Sequence, residues 1–277
     1  ERVFEYNLGC KFTIAEGKCL SVKNDPDRYG MAEAQVESAK RAINMSTNAA
    51  LNRLKWIRRN KDKENLSNQN AKLNFSGTML STLSPLPISS FKKISNHKIN
   101  KENDKNYFHW SEGDISLGRI GKTINASRKE NLTNSITYGV DRFTEDNGVE
   151  GFALRYGIDD IDVGNVGSNL DSRTYNITYY NTSPMKNDTK YIDKIFGLGK
   201  INSDILTISD GNRLTAERTG QQVYGTLKIK DEYKKNNYTL IPSGQIDFGH
   251  TKLDGYSEIG TSAISVDDQH ITTQNLR

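Results

Sequence analysis

Long apolar runs are missing from this chain of 277 residues. No stretch approaches the roughly 20 consecutive apolar residues that a transmembrane helix needs, which excludes a helical membrane protein. Strands of alternating polarity average out as polar, so a membrane β-barrel is not excluded. An excess of one charge is also missing, because 38 basic residues face 34 acidic ones. Nothing in this balance indicates nucleic-acid binding, and we expect no nucleic-acid partner.

The common catalytic and metal-binding motifs are absent as well. The sequence has no GxSxG elbow, Walker loop or HExxH pair. The acidic cluster at residues 159–162 misses the EF-hand pattern, because Gly164 falls at the wrong position and no closing Glu follows. The histidines are scattered and not at the spacing of metal ligands: His97, His109, His250 and His270. We therefore predict no catalytic residue, no metal site and no cofactor.

Cysteine is nearly absent. Cys10 and Cys19 are separated by eight residues, and residues 8–22 resemble two short strands around a turn at Glu16 and Gly17. Cysteines placed in this way could face each other across a hairpin, and a disulfide would imply an oxidising compartment. The alternative is a pair of unbonded thiols. We predict the disulfide, because nothing else in the sequence suggests a use for two lone cysteines.

A long helix is predicted from Pro26 to about residue 61. Asp27 offers capping chemistry, and proline is absent after Pro26. About thirty helical residues would form a rod of roughly 45 Å. The helical pattern consists of apolar residues three or four positions apart: Val36, Ala39, Ile43, Ala50, Leu54 and Ile57.

Residues 65–106 are rich in Asn, Ser and Lys, which predicts a polar linker, with one possible strand near residues 71–75.

From Tyr107 onward the dominant pattern is alternation with a period of two residues. It predicts about eight strands, several of them longer than the five or six residues of an average soluble strand. A soluble sandwich would bury the apolar parity, whereas a membrane barrel would turn it toward lipid. Alternation alone leaves both open. Tyrosines near segment ends and charges of both signs on the polar parity favour the barrel.

In the barrel interpretation the polar parity lines the lumen. The candidate lumen-facing residues are Glu112, Asp114, Asp141, Arg155, Asp159, Gln222, Gln245 and Asp247.

Several segments resemble the translocator domains of autotransporters. Residues 110–121 (WSEGDISLGRIG) resemble their first barrel strand, and residues 135–143 (SITYGVDRF) resemble the next, with Gly139 and Asp141 as its signature. The resemblance covers about three quarters of the chain, and it depends on the order and spacing of the segments. The other similar segments are residues 51–75, 151–180, 191–199 and 218–225.

The resemblance implies a type V secretion protein of Gram-negative bacteria. Residues 1–29 would end a passenger domain, residues 30–106 would form a pore-threading helix and polar linker, and residues 107–277 would form about eight strands of a twelve-stranded antiparallel barrel. The implied function is an outer-membrane translocator and anchor, not an enzyme. The implied partners are outer-membrane lipid, the barrel-assembly machinery and the chain's own passenger. Because the sequence starts at Glu1 and ends within a predicted strand, we expect a piece of a longer chain.

Two alternatives stay open. Some members of this family cut their own linker helix by cyclisation of an Asn side chain, helped by acidic lumen residues. Asn44, Asn48 and Asn52 lie on the predicted helix at a four-residue step, although none belongs to an Asn-Asn pair. The other alternative is a soluble β-rich binding module with a helical stalk.

Overall fold

The computed structural model describes residues 25–60, 63, 65–77, 86–88, 107–185, 189–235 and 238–277. Cys10, Cys19 and the predicted hairpin of residues 8–22 lie outside these ranges, so the proposed disulfide stays a prediction. His97 lies outside them too.

The predicted helix is present as α1, Pro26–Asn60. Its cap is not Asp27 but Asp25, whose Oδ1 accepts hydrogen bonds from the backbone N–H groups of Asp27 at 2.9 Å and Arg28 at 3.3 Å. Asp25 therefore satisfies donors that the first turn leaves free, while Pro26 occupies the first helical position, where its missing N–H costs nothing. The 35 residues of α1 extend over about 52 Å. Among the described residues, no helix has the length and apolar character needed to span a membrane.

The described residues form fourteen strands. Six long strands run consecutively from residue 108 to residue 231, and two more complete a set of eight, in agreement with the alternation pattern. The strands are β1 Asn68–Gly77, β2 Leu86–Ile88, β3 Phe108–Ile120, β4 Lys129–Phe143, β5 Val149–Val163, β6 Ser168–Pro184, β7 Lys190–Ser209, β8 Asn212–Asp231, β9 Tyr233–Lys235, β10 Tyr238–Leu240, β11 Ser243–Leu253, β12 Tyr256–Ser257, β13 Ser265–Val266 and β14 Gln269–Leu276.

Ten strands pair into one sheet in the order β14-β11-β8-β7-β6-β5-β4-β3-β1-β2. Within the described residues the ladder ends at β14 on one side and at β2 on the other. Every pairing from β3 to β14 is antiparallel, as expected for consecutive strands joined by short connections. The strand expected near residues 71–75 is part of β1, which pairs with β3 in parallel.

The sheet curves around α1, because the helix lies against at least six strands, among them β4, β5, β6, β7, β8 and β11. Six flat strands would span about 24 Å at the usual spacing of about 4.8 Å. An α-helix with its side chains is only about 10–12 Å wide. Strands so far apart can touch one helix only if the sheet wraps it. We call the side that carries α1 the helix-bearing face.

Burial alternates along the strands with the polar parity turned toward the helix. In β5, Ala153, Arg155 and Asp159 are buried. Phe152 and Leu154 point the other way and are 58% and 60% exposed. This arrangement is the reverse of a soluble sandwich, which would bury the large apolar side chains. It agrees with an antiparallel membrane barrel whose apolar parity faces lipid.

Strand β7 carries apolar residues on both parities, and the structure explains why. Ile195, Ile201 and Ile205 lie on the helix-bearing face and are 2–4% exposed. Ile201 packs in a cluster with Val36 of the helix. The β7 residues on the opposite parity, such as Phe196 and Leu198, are about half exposed. The inward apolar residues of β7 therefore pack against the apolar stripe of α1.

The outward direction of Leu154 can be tested with a charge. A Leu154→Lys substitution should cost about 2–4 kcal/mol of folding free energy if the side chain meets lipid near the middle of the bilayer. Val166 is 59% exposed in the turn between β5 and β6, so Val166→Lys should cost no more than about 0.5 kcal/mol. Urea titration followed by heat-modifiable gel mobility measures both. Equal losses at the two positions would contradict the orientation.

Candidate functional site

The site of interest is the polar surface between α1 and the helix-bearing face. Its centre is a buried ion pair between Arg53 on the helix and Asp141 on β4. The guanidinium binds the carboxylate in bidentate fashion, Nε to Oδ2 at 2.6 Å and Nη2 to Oδ1 at 2.8 Å. Both side chains are at most 1% exposed. Paired forks of this kind are the strong and geometrically specific form of an ion pair.

Aromatic side chains complete the bonding around Asp141. The hydroxyl of Tyr180 on β6 donates to Asp141 Oδ2 at 2.9 Å. The indole Nε1 of Trp110 on β3 donates to the Tyr180 oxygen at 2.6 Å. The remaining Nη1 of Arg53 donates to Asn68 Oδ1 at 2.7 Å. The buried charges are thus hydrogen-bonded on several sides, which offsets the loss of their hydration.

Two glycines make room for these rings. Gly139 is the cross-strand partner of Trp110, and Gly151 is the partner of Tyr180. A Cβ at Gly139 would lie 2.3 Å from the Trp110 Nε1, and one at Gly151 would lie 2.6 Å from the Tyr180 ring. Any other residue would displace the Trp110 ring from Tyr180 at the first position, or the Tyr180 ring from Asp141 at the second. The Gly139 and Asp141 pair noted in the sequence thus serves one cluster that joins β3, β4, β5 and β6.

Four more of the eight candidate residues contact the helix directly. Asp159 binds Arg41 Nη2 at 3.1 Å, and Arg155 Nη2 lies 3.1 Å from the sulfur of Met45. Gln222 donates to the main-chain oxygen of Ala39 at 2.8 Å. Glu112 lies beside the side chain of Asn52 and pairs with Lys72 Nζ at 2.6 Å. These contacts lie on β3, β5 and β8, so the helix is held across the width of the sheet.

The other three candidates share the parity but lie differently. Asp114 is half-buried on β3, and its charge acts on Arg155. Gln245 donates to Asp247 Oδ1 at 2.8 Å, and Thr226 donates to the same oxygen at 2.7 Å. This second group lies between β8 and β11, toward the β14 side of the sheet.

Both ends of the helix are also anchored. At the C-terminal end, Arg58 binds Asp193 at 3.1 Å and Glu232 at 3.2 Å, and Lys230 pairs with the same Asp193. These groups join α1 to β7, β8 and the connection that follows β8. The ionic contacts fix the axial position of this end of the helix.

At the N-terminal end, Asp25 accepts a hydrogen bond from Ser209 and Asp27 accepts one from Ser127. Arg28 lies 3.4 Å from Glu258, which belongs to the connection between β11 and β14, outside the long strands. Burial raises the pKa of Glu258, and the charge of Arg28 acts in the opposite direction. The helix is therefore bound to the sheet's connections at this end.

Some of these residues were not among the sequence candidates. Sequence reasoning missed Arg41, Arg53 and Arg58, because a charged residue on an amphipathic helix is normally expected to face water. Tyr180 and Tyr224 are also fully buried on the helix-bearing face, and the alternation pattern did not single them out. These arginines could have been identified by charge complementarity, because the helix carries three arginines and the polar parity of the strands carries carboxylates. Among the residues described, no group of three or more His, Cys, Asp and Glu side chains is arranged to hold a metal ion.

Removing the cation of the central pair tests its role. Arg53→Met leaves the Asp141 carboxylate buried without its partner, and we expect a loss of about 3–5 kcal/mol in urea titrations of the folded barrel. Arg59 is exposed on the same helix, so Arg59→Met is the matched control and should change little. Adding Asp141→Asn to Arg53→Met should recover part of the loss. Equal stability of both single variants would show that the pair does not anchor the helix.

Comparisons with known proteins agree with this architecture. A family model described as the autotransporter beta-domain matches residues 109–277. The translocator domain of autotransporter NalP from Neisseria meningitidis is similar in structure, with a TM-score of 0.51 and 14% sequence identity. The match covers 64% of this chain and 61% of that chain, and no curated protein matches. Because the family model covers more than half of the chain, this protein belongs to the autotransporter β-domain family, the outer-membrane barrels of type V secretion.

Proposed function

We propose that this chain is the translocator and membrane anchor through which an N-terminal passenger reaches the cell surface. In this proposal α1 is the linker that occupies the lumen after export, and residues 1–29 end the passenger. The observation that carries it is that hydrogen bonds and ion pairs join the helix to one polar face of the sheet along its whole length, from Asp25 to Arg58. A helix held in this way plugs a pore and ties the passenger to the barrel.

The polar lining supports the same function. Polar and charged side chains would face the lumen, where they bind water while a passenger chain moves through the pore. They include Glu112, Asp141, Arg155, Asp159 and Gln222. Once export ends, Asp141 and Asp159 bind Arg53 and Arg41 of α1, and Arg155 and Gln222 contact Met45 and Ala39 of the same helix, so one set of side chains serves both states. We extend the lumen assignment to Asp114, Gln245 and Asp247.

The outer surface supports a lipid partner. The exposed parity carries large apolar side chains on every long strand from β3 to β11, among them Ile136, Leu154, Ile177, Phe196, Leu227 and Phe248. An exposed apolar band of this extent needs a covering, and outer-membrane lipid provides one. Insertion into that membrane would depend on the barrel-assembly machinery.

Conductance of the complete protein in a planar bilayer tests the plug. The protein with α1 present should conduct little, and deletion of residues 26–60 should open a pore and raise conductance several-fold. Arg53→Met should increase the frequency of transient openings, while Arg59→Met should not. Heat-modifiable mobility confirms that each variant is folded. Unchanged conductance in the folded deletion variant would overturn the proposal that α1 fills the lumen.

A second candidate function is self-cleavage of the helix, and one contact favours it. Asn44 and Asn48 are exposed, whereas Asn52 is half-buried and its side chain lies beside the buried Glu112. In this reaction Asn52 Nδ2 attacks the main-chain carbonyl carbon of Asn52. A succinimide forms, the peptide bond to Arg53 breaks, and the released amine of Arg53 takes up a proton. Glu112 is placed to accept a proton from the attacking amide.

Mass spectrometry of the protein extracted from membranes distinguishes the two candidates. We expect an intact bond between residues 52 and 53, since the anchoring function needs the passenger to stay attached. A fragment that begins at Arg53 would establish the second function. That fragment should then be lost in Asn52→Ala and kept in Asn48→Ala, the exposed control on the same helix.

A further inference from the structure

Two of the four histidines are brought together by strand pairing. In the register of β11 with β14, His250 faces Thr272 and Lys252 faces His270. The two histidines are therefore diagonal neighbours on one side of the sheet. His250 Nε2 and His270 Nδ1 lie 3.3 Å apart, and the rings are tilted by 31° with centroids 5.5 Å apart.

The position of the pair is accessible. His250 continues the parity of Ile246 and Phe248, which lie on the outward side of β11. Both histidines are close to the ends of β11 and β14 that the connection of residues 254–268 joins. The side chain of His270 is 55% exposed. The pair therefore lies at the outer rim of the sheet and not in the lumen.

The nitrogen spacing matches that of two ligands on one metal ion. Zinc binds imidazole nitrogen at about 2.0–2.1 Å in tetrahedral geometry, which places two ligand nitrogens about 3.3–3.4 Å apart. The observed separation of 3.3 Å already equals this edge length. At this distance the two rings share a hydrogen bond, and a bound ion would replace the shared proton without a change in strand register.

The second nitrogen of each ring is also held. His250 Nδ1 lies 3.0 Å from Thr272 Oγ1, and His270 Nε2 lies 3.4 Å from Asp268 Oδ2. Metal-binding histidines typically use their other nitrogen in this way, because the partner fixes the ring's orientation and raises its basicity. The charges around the pair are mixed: Asp268 attracts a cation, and Lys252, whose Nζ lies 3.9 Å from Asp268, opposes one.

We propose that His250 and His270 form a binding site for a divalent transition metal at the outer rim. The protein supplies two imidazole nitrogens, and water fills the other positions, so an external ligand could also reach the ion. Bound metal would link β11 to β14 and hold their register. Sites of nitrogen ligands bind Cu²⁺ more tightly than Zn²⁺ or Ni²⁺, so Cu²⁺ is the most sensitive probe.

The test is a titration of the full-length protein with Cu²⁺, in the folded detergent-solubilised form, followed by electron paramagnetic resonance. We expect one Cu²⁺ per chain with two histidine nitrogens in its coordination plane. His250→Gln and His270→Gln should each abolish this two-nitrogen signal. His109 lies on the same outward face but on β3, several strands away, where it contacts Tyr138. It gives the matched control: His109→Gln should retain the signal.

Two further variants separate a designed site from chance proximity. Asp268→Asn should weaken Cu²⁺ binding about 10-fold without changing the number of nitrogens, because the carboxylate orients His270. Lys252→Gln should strengthen binding by removing the nearby positive charge. The proposal is overturned if folded wild-type protein shows no two-nitrogen signal, or if that signal survives in either His250→Gln or His270→Gln.

Discussion

The structure depends on one constraint: the guanidinium of Arg53 is buried and must keep a carboxylate partner. An arginine stays charged at any physiological pH, so its burial is tolerated only with hydrogen-bonded counter-charge. Asp141 supplies that charge, and Tyr180 and Trp110 are arranged around it. Since a buried ion pair adds little net stability compared with apolar packing, its main effect is positional. It sets where the helix lies along the sheet.

The helix and the sheet depend on each other in this arrangement. The polar parity of the strands would be a poor core without α1, because Asp141 and Asp159 would lose the arginines that pair with them. The helix would be a poor isolated rod, because its apolar stripe, which includes Ile43, Leu54 and Ile57, would be exposed to water. Together the two surfaces pair small apolar contacts, such as Ala50 and Ala153, with ionic ones, such as Arg41 with Asp159. A polar interior of this kind suits a lumen that must be wet during transport and filled afterward.

The outer surface follows a different logic. Large apolar side chains on a surface favour aggregation in water. In a membrane the same side chains contact lipid, as on the outside of a transmembrane barrel. The histidine pair lies where this apolar parity ends, at the rim. There, side chains leave the apolar band and can bind ions from solution.

The sequence alone determined the helix and most of the long strands, and it left open which parity of the strands faces inward. A period of three to four residues specified α1, and a period of two specified the long strands, because each period follows directly from backbone geometry. The eight candidate residues came from the same parity argument. The order of the segments was enough to indicate the family.

Only the tertiary structure decided which side chains meet. Arg53 and Asp141 are 88 residues apart, and His250 and His270 are 20 apart, so no local spacing reveals either pair. The apolar residues on both parities of β7 have no explanation in the sequence alone, because the inward ones, such as Ile201, are buried against α1. Strand register and the axial position of the helix are set by long-range packing, and a change of one residue in either would separate these partners.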